Sequence, residues 1–142
     1  MAVAKAFIDS NVLLYLLSKD AKKADAAEAV LRAGGMISVQ VLNEITNVAL
    51  KKLGMPWQEI NQFLTLLRSL CAVEPLTVET HDRGSDVAER YGLSVYDSMI
   101  VAAALLAGCT VLYSEDMQNG LVLDRQLRVV NPFNGRRINK KL

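Results

Sequence analysis

The chain is poor in the side chains that most often carry chemistry. Its 142 residues include one histidine, His81, and two cysteines, Cys71 and Cys109. A single histidine excludes a multi-histidine metal site and argues against a histidine-based triad. Two cysteines are too few for a disulfide scaffold or a zinc site built on thiolates. Long apolar runs are also missing: Met99 to Ala107 is the longest nearly uninterrupted one, against the about 20 residues that cross a bilayer. The opening Met1–Phe7 meets Asp9 before a signal-peptide core could form. There is no internal repeat, low-complexity tract or linker. Core material is plentiful, however, since 51% hydrophobic against 22% charged residues rules out disorder in a chain of domain length. The expectation is one soluble cytoplasmic domain, making no membrane contact, whose chemistry rests on carboxylates.

The net charge of +1 conceals an asymmetry. Met1 to Leu123 carries 10 Lys/Arg against 14 Asp/Glu, a balance of −4. Asp124 to Leu142 carries 6 Lys/Arg against Asp124 alone, a balance of +5. The basic residues are Arg125, Arg128, Arg136, Arg137, Lys140 and Lys141, the last four in a tail at about 134–142. A basic tail on an acidic body suits contact with a polyanion, and it equally describes a solvated terminus.

Short apolar runs predict strands at Ala2–Ile8, Met36–Val39, Cys71–Leu76, Thr110–Ser114 and Leu127–Val130. Asn11–Leu17 is a further apolar segment. Helices are expected over Asp20–Ala33, broken by Gly34-Gly35, over Val41–Leu53, from Pro56 through Leu67, and over Thr80–Tyr91. Asp97 or Ser98 is expected to open an alanine-rich apolar helix that stops at Gly108. Strands alternating with helices indicate an α/β fold with a central parallel sheet of four or five strands, flanked by helices on both faces.

In such sheets the working crevice lies beyond the carboxyl ends of the strands, and four acids can reach it. Asp9 directly follows the first strand and is equally a good N-cap. Glu44 neighbours Val41 and Val48 on the helical wheel, at the margin of the buried stripe, where a salt bridge or a cation would satisfy it. Asp97 stands at the start of the apolar helix, again as a cap or a rigidly held ligand. Asp116 follows the fourth strand, with Glu115 beside it as an ordinary surface turn. Four carboxylates converging on one crevice repel each other unless a cation neutralises them. Oxygen ligands without histidine or cysteine select Mg²⁺ or Mn²⁺, and such a site suits phosphodiester hydrolysis.

These residues resemble a known family. Phe7-Ile8-Asp9-Ser10-Asn11-Val12, Ser38 to Glu44, Gly92-Leu93-Ser94 through Asp97 to Ala104, and Tyr113-Ser114-Glu115-Asp116 are similar, in order and separation, to the motifs of the PIN-domain family and its VapC-type ribonuclease toxins. Val130-Asn131-Pro132-Phe133 resembles how these chains finish. The resemblance implies a PIN-like fold and an Mg²⁺- or Mn²⁺-dependent endoribonuclease with Asp9, Glu44, Asp97 and Asp116 as metal ligands and catalytic acids. It makes Asn11 and Ser114 supports of the site, and it puts Asn119 where the family often has a further aspartate. It also implies an RNA substrate, a homodimer and a cognate antitoxin that blocks the site.

Other polar and aromatic residues receive ordinary readings. His81 is an exposed helix-terminal histidine, Trp57 a helix-start packing residue, and Cys71 and Cys109 are inert buried thiols. Tyr15 is a candidate for stacking on RNA bases. Lys22, Lys23, Lys51 and Lys52 are solvated helix faces. Two other functions fit less well. A catalytically silent PIN-like RNA- or protein-binding module draws on Asn119 and the basic tail. A phosphatase of the haloacid-dehalogenase type would want an aspartate where Asn11 stands and a lysine after a late strand.

Overall fold

The computed structural model describes residues 5–133. Residues 2–4 of the expected first strand and the basic tail at 134–142 lie outside the described residues. β1 (Ala6–Ile8) leads into α1 (Ser10–Leu14), a 3-10 turn (Tyr15–Leu17) and α2 (Ala21–Arg32). β2 (Gly35–Ser38) leads into α3 (Val39–Lys51) and α4 (Trp57–Leu70). β3 (Cys71–Glu74) is followed by α5 (Val78–Tyr91) and α6 (Val95–Leu106). β4 (Val111–Tyr113), β5 (Val122–Leu123) and β6 (Leu127–Val130) complete the sheet.

The strand order is β3-β2-β1-β4-β6-β5, and every neighbouring pair is parallel except β5 with β6. The five expected strands are therefore present, flanked by helices, and a short antiparallel edge strand is added. From β1 the chain steps outward to β2 and β3, then returns to the other side of β1 with β4. The order reverses between β1 and β4, which opens a crevice at the carboxyl ends of those two strands.

Phe7, Ile8, Ile37, Leu112, Leu127 and Val129 are fully buried in the sheet. α6 is strongly apolar and buries Ser98 through Leu105, leaving Val95 and Tyr96 of its first turn and Leu106 at its end exposed. It packs against α5, α3 and β2.

The helix starts differ from the sequence expectation in a consistent direction. Ser38 Oγ accepts from Val41 N at 3.3 Å, Thr77 Oγ1 from Thr80 N at 3.2 Å, and Ser94 Oγ from Asp97 N at 3.2 Å. Each hydroxyl satisfies a backbone N–H that the first turn leaves open. The helices α3, α5 and α6 thus begin two or three residues before their apolar periodicity does. Asp97 does not open α6; it sits in the first turn, where the helix dipole favours a carboxylate. Pro56 is the cap of α4 and stands outside the helix. Just past the end of α2, Gly34 has φ of +89°, a left-handed conformation that glycine adopts without strain. Gly35 already belongs to β2.

Gly84 marks where α5 meets α6. A Cβ there would stand 2.7 Å from Met99 Sδ and 3.3 Å from Ser98 O. Gly84→Val is expected to destabilise the protein by about 1–3 kcal/mol through overpacking, read as a lower urea midpoint. Gly84→Ala, which the flexible Met99 can accommodate, should lose less. An unchanged midpoint for the valine variant would contradict this packing.

Candidate acidic site at the carboxyl ends of the central strands

β1 and β4 pair with Ile8 opposite Tyr113, so Asp9 and Ser114 leave the sheet side by side. The Asp9 N–H donates to Tyr113 O at 2.9 Å. Asp9 caps α1, and it is 1% exposed. Its Oδ1 accepts from Ser10 N at 2.7 Å and Ser10 Oγ at 3.3 Å. Its Oδ2 accepts from Ser114 Oγ at 2.9 Å and Asn11 Nδ2 at 3.2 Å. Asn11 Oδ1 in turn accepts from Glu115 N at 3.0 Å. Asn11 and Ser114 therefore hold the Asp9 carboxylate directly.

Glu44 is half-buried on α3, beside fully buried Val41 and Ile45. It accepts from Ser10 Oγ at 2.7 Å and from Gln40 Nε2 at 3.3 Å. Its partners are neutral, where a salt bridge was one expectation. Ser10 thus stands between Asp9 and Glu44. The sequence reading gave Ser10 and Gln40 no role; the only signal was that Ser10 adjoins the strand-end acid.

Asp97 is half-buried and Asp116 exposed. Burial above all pushes the Asp9 pKa up to about 7. The hydrogen bonds from Ser114 and Ser10 N oppose this, while the charges of Asp97 and Glu44 add to it. Burial also raises the Asp97 carboxyl, against the Ser94 hydrogen bond and with help from the Asp116 charge. The four acids consequently form a row of mutually repelling charges. Among the described residues no salt bridge reaches any of them; basic partners go to Glu28, Asp86, Glu115 and Asp124. Also among the described residues, no group of three or more acids is gathered closely enough to hold one metal ion. The donor set nonetheless fits a hard cation, being made of carboxylate, hydroxyl and amide oxygens.

Several neighbouring residues depart from expectation. Lys23 is no solvated lysine, because its Nζ lies 2.7 Å from Glu115 Oε2. Glu115 is correspondingly more than a surface turn. Burial raises its carboxyl, but hydrogen bonds from Lys23 and Tyr15 hold it below the usual range. Tyr15 packs edge-on against Phe133 with centroids 4.9 Å apart. Asn119 uses its Oδ1 to accept from Asn131 N at 2.8 Å, tying the stretch before β5 to the end of β6. Trp57 begins α4 but is 54% exposed. His81 is exposed near the start of α5. Both cysteines are free and buried, and burial pushes the Cys109 thiol up to about 11.

The Asp9 pKa of about 7 lies above the about 4 of an unfolded aspartate. The folded metal-free protein therefore holds a proton that the unfolded chain releases, and this contribution to stability is lost as pH rises from about 4 to 7. Asp9→Asn is expected to remove that part of the slope and to be more stable than the parent above pH 7, on the order of 1–3 kcal/mol. Urea unfolding of both proteins across this range checks it. Parallel pH profiles would contradict it.

Residues 6–118 match the family model of the PIN domain. No curated protein sequence matches the chain. Among solved structures it is similar to a toxin-antitoxin complex from Klebsiella pneumoniae, with a TM-score of 0.69 and 21% identity over 90% of this chain and 98% of that one. It is also similar to VapC20 of Mycobacterium tuberculosis, a sarcin-ricin loop cleaving toxin, with a TM-score of 0.66 and 17% identity over 79% and 90%. VapBC2 of Rickettsia felis, bound to a DNA fragment from its promoter, gives 0.63 and 15% over 89% and 98%. These structures share the fold. The matched span contains Asp9, Glu44, Asp97 and Asp116, and the chain belongs to the PIN-domain family.

Proposed function

We propose that this chain is a single-domain, Mg²⁺- or Mn²⁺-dependent endoribonuclease of the toxin type, cytoplasmic, homodimeric and neutralised by a cognate antitoxin. The observation that carries the reading is the row Glu44, Asp9, Asp97 and Asp116 without a salt-bridge partner among the described residues. Mutually repelling carboxylates, with Asp9 buried and Glu44 and Asp97 half-buried, are unfavourable as they stand, and a cation would relieve them.

In this reading Asp9, Glu44, Asp97 and Asp116 hold the ion. When bound, Mg²⁺ or Mn²⁺ would supply Lewis acidity toward water and toward the charge that develops at the scissile phosphate. Asp9, held largely protonated below pH 7 by its burial, would have to be ionised to serve as a ligand. Ser10, Asn11 and Ser114 keep its two oxygens fixed meanwhile. Glu44 is steadied by Ser10 and Gln40, and Asp97 is carried on the first turn of the rigid α6. Asp116 is the exposed member of the row. No protein nucleophile is called on, with both cysteines buried and His81 on the surface of α5.

RNA as substrate and an antitoxin as partner are supported by the structural relatives, which include a sarcin-ricin loop cleaving toxin and toxin-antitoxin complexes. Room for protein partners is offered by the exposed apolar side chains of Leu53, Trp57, Leu66 and Leu70. Among the described residues no helix is long and apolar enough to cross a membrane.

One observation favours a silent RNA- or protein-binding module instead: the acids are not gathered around one point. Two measurements separate the readings. Purified protein with Mn²⁺ is expected to cut total cellular RNA into discrete fragments, with EDTA abolishing cleavage and Asp97→Asn sharply lowering its rate. Millimolar Mn²⁺ is also expected to raise the Tm, since a ligand of the folded state alone stabilises it. Folded protein that shows neither effect would be the silent module.

A further inference from the structure

We propose that Lys23 on α2 is a positioning residue for the acidic site, acting through Glu115. This inference rests on the metal-site reading above. Lys23 Nζ donates to Glu115 Oε2 at 2.7 Å and to Tyr15 OH at 3.1 Å. Tyr15 OH donates to Glu115 Oε1 at 2.6 Å. Both oxygens of Glu115 are thereby held. The ammonium also lies 4.7 Å from the Tyr15 ring centroid and 5.3 Å from that of Phe133. Lys23 and Glu115 side chains are only 32% and 25% exposed. This is a partly desolvated network, unlike the isolated surface pairs that contribute little.

What the cluster grips is the link between two residues of the site. Glu115 stands between Ser114, which donates to Asp9, and Asp116. Its own N–H donates to Asn11 Oδ1 at 3.0 Å, and Asn11 Nδ2 donates to Asp9 Oδ2 at 3.2 Å. Fixing the Glu115 side chain therefore fixes the backbone that aims Ser114 and Asp116 and orients the amide that holds Asp9. The partners of the ligands orient them and so set how well such a site is preformed.

Charge alone and positioning have opposite signs here. Lys23 is a cation near an anionic row, so neutralising it would, by Coulomb attraction, tighten the binding of another cation. Loss of positioning would weaken it. The test is a Mn²⁺ titration of Tm with metal-free protein, comparing wild type, Lys23→Met, Lys23→Arg and Tyr15→Phe. The Mn²⁺ midpoint of Lys23→Met is expected to rise about 10–100-fold. Lys23→Arg, which can keep the pair, should stay near wild type. Tyr15→Phe, with charge and ring unchanged, should move in the direction of Lys23→Met by less. A Lys23→Met midpoint that is unchanged or lower, whatever its metal-free Tm, would overturn the proposal and leave Lys23 a structural residue. A wild type with no response to Mn²⁺ would instead overturn the metal-site reading, and this inference with it.

Discussion

Asp9 is a carboxylate taken out of water at the point where the strand order of a parallel sheet reverses, and much of the surrounding structure serves to keep it there. The β1–β4 pairing fixes its backbone, and Ser10, Asn11 and Ser114 supply hydrogen bonds to both oxygens. Those bonds do not fully offset its desolvation, and the acids Glu44 and Asp97 add repulsion. A protein built for stability alone would place an apolar or neutral residue at this position. The fold carries this cost alongside a large buried core that includes Phe7, Ile8, Leu112 and most of α6.

The same constraint explains the division of labour among charged residues. Lysines and arginines pair with Glu28, Asp86, Glu115 and Asp124, and among the described residues they leave the central row alone. Neutral donors do the holding inside the crevice, while ion pairs brace its surroundings. A neutral donor orients a carboxylate without competing for its charge. In the proposed reading that charge is left for a cation.

Much of this was legible in the sequence because parallel strands and amphipathic helices write their burial into residue spacing. Each of the five short apolar runs contains a strand, Asp9 stands at a strand end, and Glu44 lies on the margin of the α3 stripe. The helix starts were misread because hydrophobic periodicity reports a buried face, whereas Ser38, Thr77 and Ser94 are polar caps set before that face begins. β5 escaped notice because two residues carry no pattern. Lys23 and Glu115 are 92 positions apart and Ser10 and Glu44 are 34 apart. No local pattern encodes such meetings between polar side chains, which arise only when the sheet brings distant strand ends together. For the same reason Ser10 and Lys23, the residues that connect the site, were the ones missed.

In the proposed reading, the buried proton on Asp9 and a divalent cation compete for one place. Calorimetric titration of Mn²⁺ into metal-free protein at pH 6, repeated in buffers of different ionisation enthalpy, counts the protons displaced. Wild type should release about one proton per ion bound, and Asp9→Asn should release none attributable to this position. Binding without proton release in the wild type, or no binding at all, would contradict the account.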